Sequence, residues 1–175
     1  MALPPPVLQE KTFRRHSGFS LLEVLIVIAI IAAVSLVAAP WFARISQRSK
    51  LRSAAREVHA TLLAARMTAV RSGIPASVRI TPAVSGTSHH SVETWLEATP
   101  ARRLKEFRLP TQFQFVTLPP GNDVVFTADG RRNPPGTARE DIVIEGLVGS
   151  ALSNRITLEA YENGRVAFVP PTEWR

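Results

Sequence analysis

The chain has no cysteine among its 175 residues, which removes both a disulfide scaffold and a thiol nucleophile. No G-x-S-x-G, H-E-x-x-H or phosphate-loop pattern occurs anywhere in it. His89 and His90 are adjacent and lack zinc-ligand spacing, and His59 stands alone in a helical stretch. Asp123, Asp129 and Asp141 are too dispersed for a calcium loop. These absences argue against an enzyme and against a metal or organic cofactor. Two further absences are positive signals. No glycine lies between Gly18 and Gly73, and no formal charge lies between Val24 and Ala43.

The twenty uncharged residues VLIVIAIIAAVSLVAAPWFA would span about 30 Å as a helix, the thickness of a bilayer core. They are long for a signal-peptide core, and no convincing small-x-small cleavage site follows. A membrane span is the expectation. Pro40 has no N–H to offer the carbonyl of Leu36, so a kink or a melted turn is expected there. Beyond it, Leu51, Ala55, Val58, Leu62, Ala65 and Ala69 recur every three or four residues as one apolar stripe. Arg44, Arg48, Arg52 and Arg56 form a row on another face, read as solvated or lipid-phosphate contacts, or as charge complements to neighbouring subunits. The run closes at Arg71-Ser72-Gly73, so one helix of some fifty residues is expected from near Phe19 to Ser72.

The net charge of +7 is uneven. Residues 1–18 carry +2, 19–40 carry −1 from Glu23, 41–72 carry +6, and 73–175 balance eleven basic against eleven acidic residues. The excess therefore belongs to a leader and a stem rather than to the C-terminal part.

Alternating runs follow at 76–80, 92–98, 103–109, 112–118, 123–128, 141–146, 155–160 and 165–169. Turn residues at 119–122, 131–136 and 162–164 separate them, Asn163-Gly164 being a hairpin signal. Residues 81–91 read as a mobile loop. Antiparallel strands with one buried face can close on the helical stripe, which gives an α+β head. The expected organisation is a leader at 1–18, a transmembrane half-helix at 19–43, an amphipathic half at 44–72 and a sheet head at 73–175.

The segment RRHSGFSLLEVLIVIAIIA resembles the type IV prepilin signature, G-[F/M]-[S/T]-L-x-E before an apolar run, at Gly18, Phe19, Ser20, Leu21, Leu22 and Glu23. Pro40 falls at the twenty-second position counted from Phe19, where that family often has proline. Downstream, Phe126 with Gly130, then Arg155-Ile156-Thr157-Leu158 with Gly164-Arg165-Val166, resemble the GspH/FimT group of minor pseudopilins and pilins.

The resemblance implies a type IV pilin-like fold, a long helix packed on a small antiparallel head. It implies cleavage between Gly18 and Phe19 by prepilin peptidase, and N-methylation of Phe19 by the same enzyme. Glu23 would pair with the N-terminal amine of a neighbouring subunit, since an isolated carboxylate in a membrane span is costly. It implies a structural subunit of the type II secretion pseudopilus. Its partners would be other pseudopilins or pilins, an inner-membrane assembly platform and membrane lipid, with the head in the periplasm. Charge counting alone points the other way. Three basic residues precede the span and five lie within 44–56, which would favour a cytoplasmic head.

The alternative is a type IV pilus or competence minor pilin that binds DNA. Arg131, Arg132, Arg165 and Arg175 are its candidates, with Arg102 and Arg103 in support. The neutral head counts against it.

Overall fold

The apolar run and the stripe behind it belong to a single helix, α1, Leu21–Ser72. The computed structural model describes residues 19–83, 89–133, 138–146 and 155–170. Five of the eleven residues of the expected loop at 81–91, namely 84–88, lie outside the described residues, as do the leader 1–18 and residue 175. The chain divides into two compact units, Met1–Phe42 and Ala43–Arg175.

In the first unit every described side chain is exposed, including Leu21, Ile28, Ile31 and Leu36. The helix runs through Pro40 without interruption, so the melted turn expected there does not form. One missing N–H removes one bond from a ladder that the flanking residues otherwise keep.

Among its described residues, the second unit holds the rest of α1 and nine strands. The helix ends where Gly73 adopts φ +66° and its N–H returns to the carbonyl of Ala69 at 3.0 Å. This left-handed cap is the usual way to satisfy a terminal carbonyl. The strands are β1 (Ala76–Thr81), β2 (Ser91–Leu96), β3 (Arg102–Arg108), β4 (Phe113–Thr117), β5 (Asp123–Phe126), β6 (Arg132–Asn133), β7 (Arg139–Gly146), β8 (Arg155–Tyr161) and β9 (Val166–Val169). Each of the eight alternating runs contains a strand. The ninth, β6, lies in a segment that reads as a turn because of its two prolines.

The strands form two antiparallel sheets, ordered β3-β2-β1-β5-β6 and β4-β7-β8-β9. Alternation sets their faces. Ala76, Val78 and Ile80 point inward from β1, and Ile156, Leu158 and Ala160 do so from β8. They enclose one core with Leu51, Ala55, Val58, Leu62, Ala65 and Ala69 of the helical stripe. His59 flanks that stripe, with its Nε2 3.2 Å from the carbonyl oxygen of Val166 and its ring edge-on to Phe168.

Candidate assembly segment and head surface

The N-terminal segment begins with Phe19, which is 82% exposed, and Ser20, whose carbonyl accepts the N–H groups of Glu23 (3.0 Å) and Val24 (3.2 Å). Gly18, the expected cleavage position, lies outside the described residues. Glu23 sits in the first turn of α1, where the positive end of the helix dipole favours a carboxylate. Among the described residues it has no ion-pair partner. Leu21–Ala39 has a mean hydropathy of 2.9, and none of it is buried within the chain. It is long and apolar enough to cross a membrane. A soluble monomer rarely exposes such a surface.

The head contains two turns built alike. In the first, joining β5 to β6, the Thr127 N–H donates to Arg131 O (2.8 Å) and the Gly130 N–H to Thr127 O (2.8 Å). In the second, joining β8 to β9, the Tyr161 N–H donates to Arg165 O (2.8 Å) and the Gly164 N–H to Tyr161 O (2.9 Å). Gly130 and Gly164 take φ values of +79° and +77°, which side chains rarely adopt. Asp129 and Asn163 each cap the following arginine N–H. The sequences TADGR and YENGR are therefore two copies of one device, one in each sheet.

The two turns touch. A Cβ on Gly164 would lie 1.8 Å from the carbonyl oxygen of Gly130, and one on Gly130 would lie 2.8 Å from Val70 of α1. Arg66 of α1 donates through Nε to Gly130 O (3.0 Å) and reaches Asn163 O with a second guanidinium nitrogen (3.5 Å). Immediately after the first turn, the Arg132 N–H donates to Glu162 O at 3.0 Å. The Arg132 guanidinium, fully buried, pairs with Glu140 of β7 at 2.7 Å. Helix and sheets are thus fastened at one place.

This geometry corrects the expected arginine patch. Arg132 is 2% exposed and committed to Glu140, so it cannot present charge to a ligand. Burial of an arginine without a carboxylate would be prohibitive, and the pair explains why the residue tolerates the interior. Arg131 and Arg165 are exposed and follow the two touching turns. Arg131 pairs with Asp129 at 3.4 Å, and Arg165 lies over the Tyr161 ring at 5.7 Å. Arg102 and Arg103 stand apart from them on β3, and Arg175 is outside the described residues. Arg66, Gly130 and Gly164 form a joint whose members are scattered in sequence. Its available signal was Arg66, which falls four residues after Leu62 on the border of the apolar stripe.

Hydrogen bonds to ionised carboxylates dominate the remaining electrostatics. The Ser77 hydroxyl, then Arg79, holds Glu97 below the usual carboxylate range. The Thr127 hydroxyl and the Arg131 N–H do the same for Asp129. Burial lowers His90, whose Nδ1 accepts the Ala83 N–H at 3.1 Å. Among the described residues no group of three or more histidine or acidic side chains could hold a metal ion.

Residues 13–39 match the Prokaryotic N-terminal methylation motif. Three quarters of the chain is similar in fold to the type IV minor pilin FimU of Pseudomonas aeruginosa, with a TM-score of 0.57 and 20% identity over 75% of this chain and 99% of that one. The fold is type IV pilin-like. The minor pseudopilin EpsH from the type 2 secretion system of Vibrio cholerae is also similar, with a TM-score of 0.55 and 17% identity over 71% of this pilin-like chain and 99% of EpsH. At such identities the likeness concerns the fold. No curated protein sequence matches the chain significantly.

Proposed function

We propose that this chain is a minor pseudopilin, a structural subunit of the type II secretion pseudopilus rather than an enzyme. The observation that carries the reading is the methylation motif at 13–39, set at the start of an uncovered apolar helix that continues into a pilin-like head. Prepilin peptidase cleaves between Gly18 and Phe19 and methylates Phe19. The helix then holds the subunit in the bacterial inner membrane with the head in the periplasm. On assembly, Glu23 neutralises the amine of a neighbouring subunit. The apolar surface of α1, with Pro40 within it, packs against other pseudopilins, each Å² contributing about 25 cal/mol. The inner-membrane platform drives that step.

A type IV pilus or competence role is the second reading, because a type IV minor pilin and a type 2 secretion pseudopilin are both similar in fold. Arg131 and Arg165, exposed on adjoining turns, are the observation that favours DNA capture within it.

Intact mass and N-terminal sequencing of membrane-extracted protein, with and without the peptidase, test the main reading. A start at N-methyl-Phe19 only when the peptidase is present is expected. A chain beginning at Met1 in both strains overturns it and leaves a single-span anchor with a cytoplasmic sheet domain.

A further inference from the structure

β3 is the longest strand at a sheet edge, and among the described residues nothing pairs with its outer side. Its inner side is fixed by β2, and just past its end the Leu109 N–H donates to His90 O at 2.8 Å. Because backbone groups alternate along an antiparallel strand, Phe107 also points its N–H and C=O at β2. Glu106 and Arg108 therefore point theirs outward, four unclaimed groups spaced for one more strand. Side chains alternate across the sheet as well, and Lys105 and Phe107 face the helix. Lys105 reaches Glu57 at 2.6 Å. Beside this edge lies an open cleft of about 550 Å³, lined by Lys50, Ser53, Ala54 and Glu57 of α1 and by Phe107, Pro110 and Gln112. A strand added to β3 would direct alternate side chains into that cleft.

The edge selects its occupant by charge. β3 holds Arg102, Arg103, Lys105 and Arg108 against Glu106, a net +3 in seven residues. Exposed cations on an edge repel a like strand, which prevents pairing between identical heads. They attract an acidic strand. Arg103 and Arg108 share the Glu106 carboxylate, Glu93 adds a second acid for Arg103, and Glu57 answers Lys105. Lys50 and Arg102 have no ionic partner among the described residues.

We propose that the β3 edge and the adjoining cleft bind an extended acidic segment of another protein chain by strand addition, with an apolar side chain of that segment resting on Ala54, Phe107 and Pro110. Backbone pairing supplies the affinity and the cleft supplies the selectivity. The inference rests on the assembly reading only for where such a partner is met. Its test is read separately from the Phe19 terminus, so either can fail alone.

The full chain, carrying a benzophenone amino acid at Ser53, is irradiated in its native membranes and the adducts are sequenced. The expected adduct is a peptide of a second protein in which Asp and Glu outnumber Lys and Arg. The double charge reversal Lys50→Glu with Arg102→Glu is expected to cut its yield at least five-fold, with the head melting temperature unchanged. Arg108→Pro, which removes an outward N–H and no bond to β2, is expected to fall well below Arg108→Ala. The proposal is overturned by no adduct, by adducts to lipid, DNA or a second copy of this chain, or by adducts to neutral or basic peptides. It is equally overturned by an acidic adduct that ignores the charge reversal or fails to distinguish proline from alanine at 108.

Discussion

The turns TADGR and YENGR share their hydrogen bonds, their left-handed glycine and their capping side chain, yet they occupy different environments. The first lies against the helix, where its glycine faces Val70 and Arg66. The second lies against the first, where its glycine faces the Gly130 carbonyl as well as Arg66. A side-chain tip can shift and a carbonyl in a turn cannot. Identical local chemistry therefore carries unequal cost when disturbed, and the difference is set by what is stacked above each turn.

The largest effect is expected just beyond the first turn. Arg132→Ala strands Glu140 in the interior and should destabilise the head by about 3–5 kcal/mol, read as a lower midpoint in urea. A methionine at the same position leaves the same orphaned acid, so only the double change with Glu140→Leu should recover stability. Next comes the glycine pair. Gly164→Ala combines a backbone overlap costing about 1–3 kcal/mol with about 1–2 kcal/mol for the left-handed conformation. Gly130→Ala should cost less, about 1–2 kcal/mol for the left-handed conformation plus a smaller overlap with the half-exposed Val70. Equal losses at the two glycines, measured by thermal unfolding, would erase the distinction drawn between the turns.

Arg66→Ala follows, removing charged donors from two partly solvated carbonyls at a cost of about 1–2 kcal/mol. It should weaken both turns together, which hydrogen exchange at the Gly130 and Gly164 amides would report. The smallest effect is on pH dependence. Asp129 has a depressed folded pKa, so its contribution is present above its unfolded value of 3.8 and is lost as pH falls through the folded pKa. Asn163 does not titrate. Asp129→Asn should flatten this acid limb for the first turn, while Asn163→Asp should create one in the second. An unchanged acid-unfolding profile in both variants would contradict the account.

Much of this was readable from local pattern. Gly18 to Glu23 carry a contiguous signature, the helical stripe repeats within one element, and the strands alternate over a few residues. What escaped was pairing across distance. Nothing near Arg132 announces Glu140, because the two meet only once β6 and β7 are placed in separate sheets. Its residue type suggested a ligand contact, whereas its burial decides otherwise. β6 was hidden for a related reason. Two residues followed by Pro134-Pro135 read as a turn, and only their pairing with Val125 and Phe126 makes them a strand. Arg66 looked like one more stem cation until both turns were seen beneath it.

The Arg66 joint also has a mechanical meaning. Tension applied along the amphipathic half of α1 would reach both sheets through the same guanidinium, which grips a carbonyl in each turn. Load shared between two bonded anchors at one point resists rupture better than load that peels a sheet from its edge. The head would then follow the helix as a single rigid cargo, its two sheets neither shearing apart nor extending one at a time.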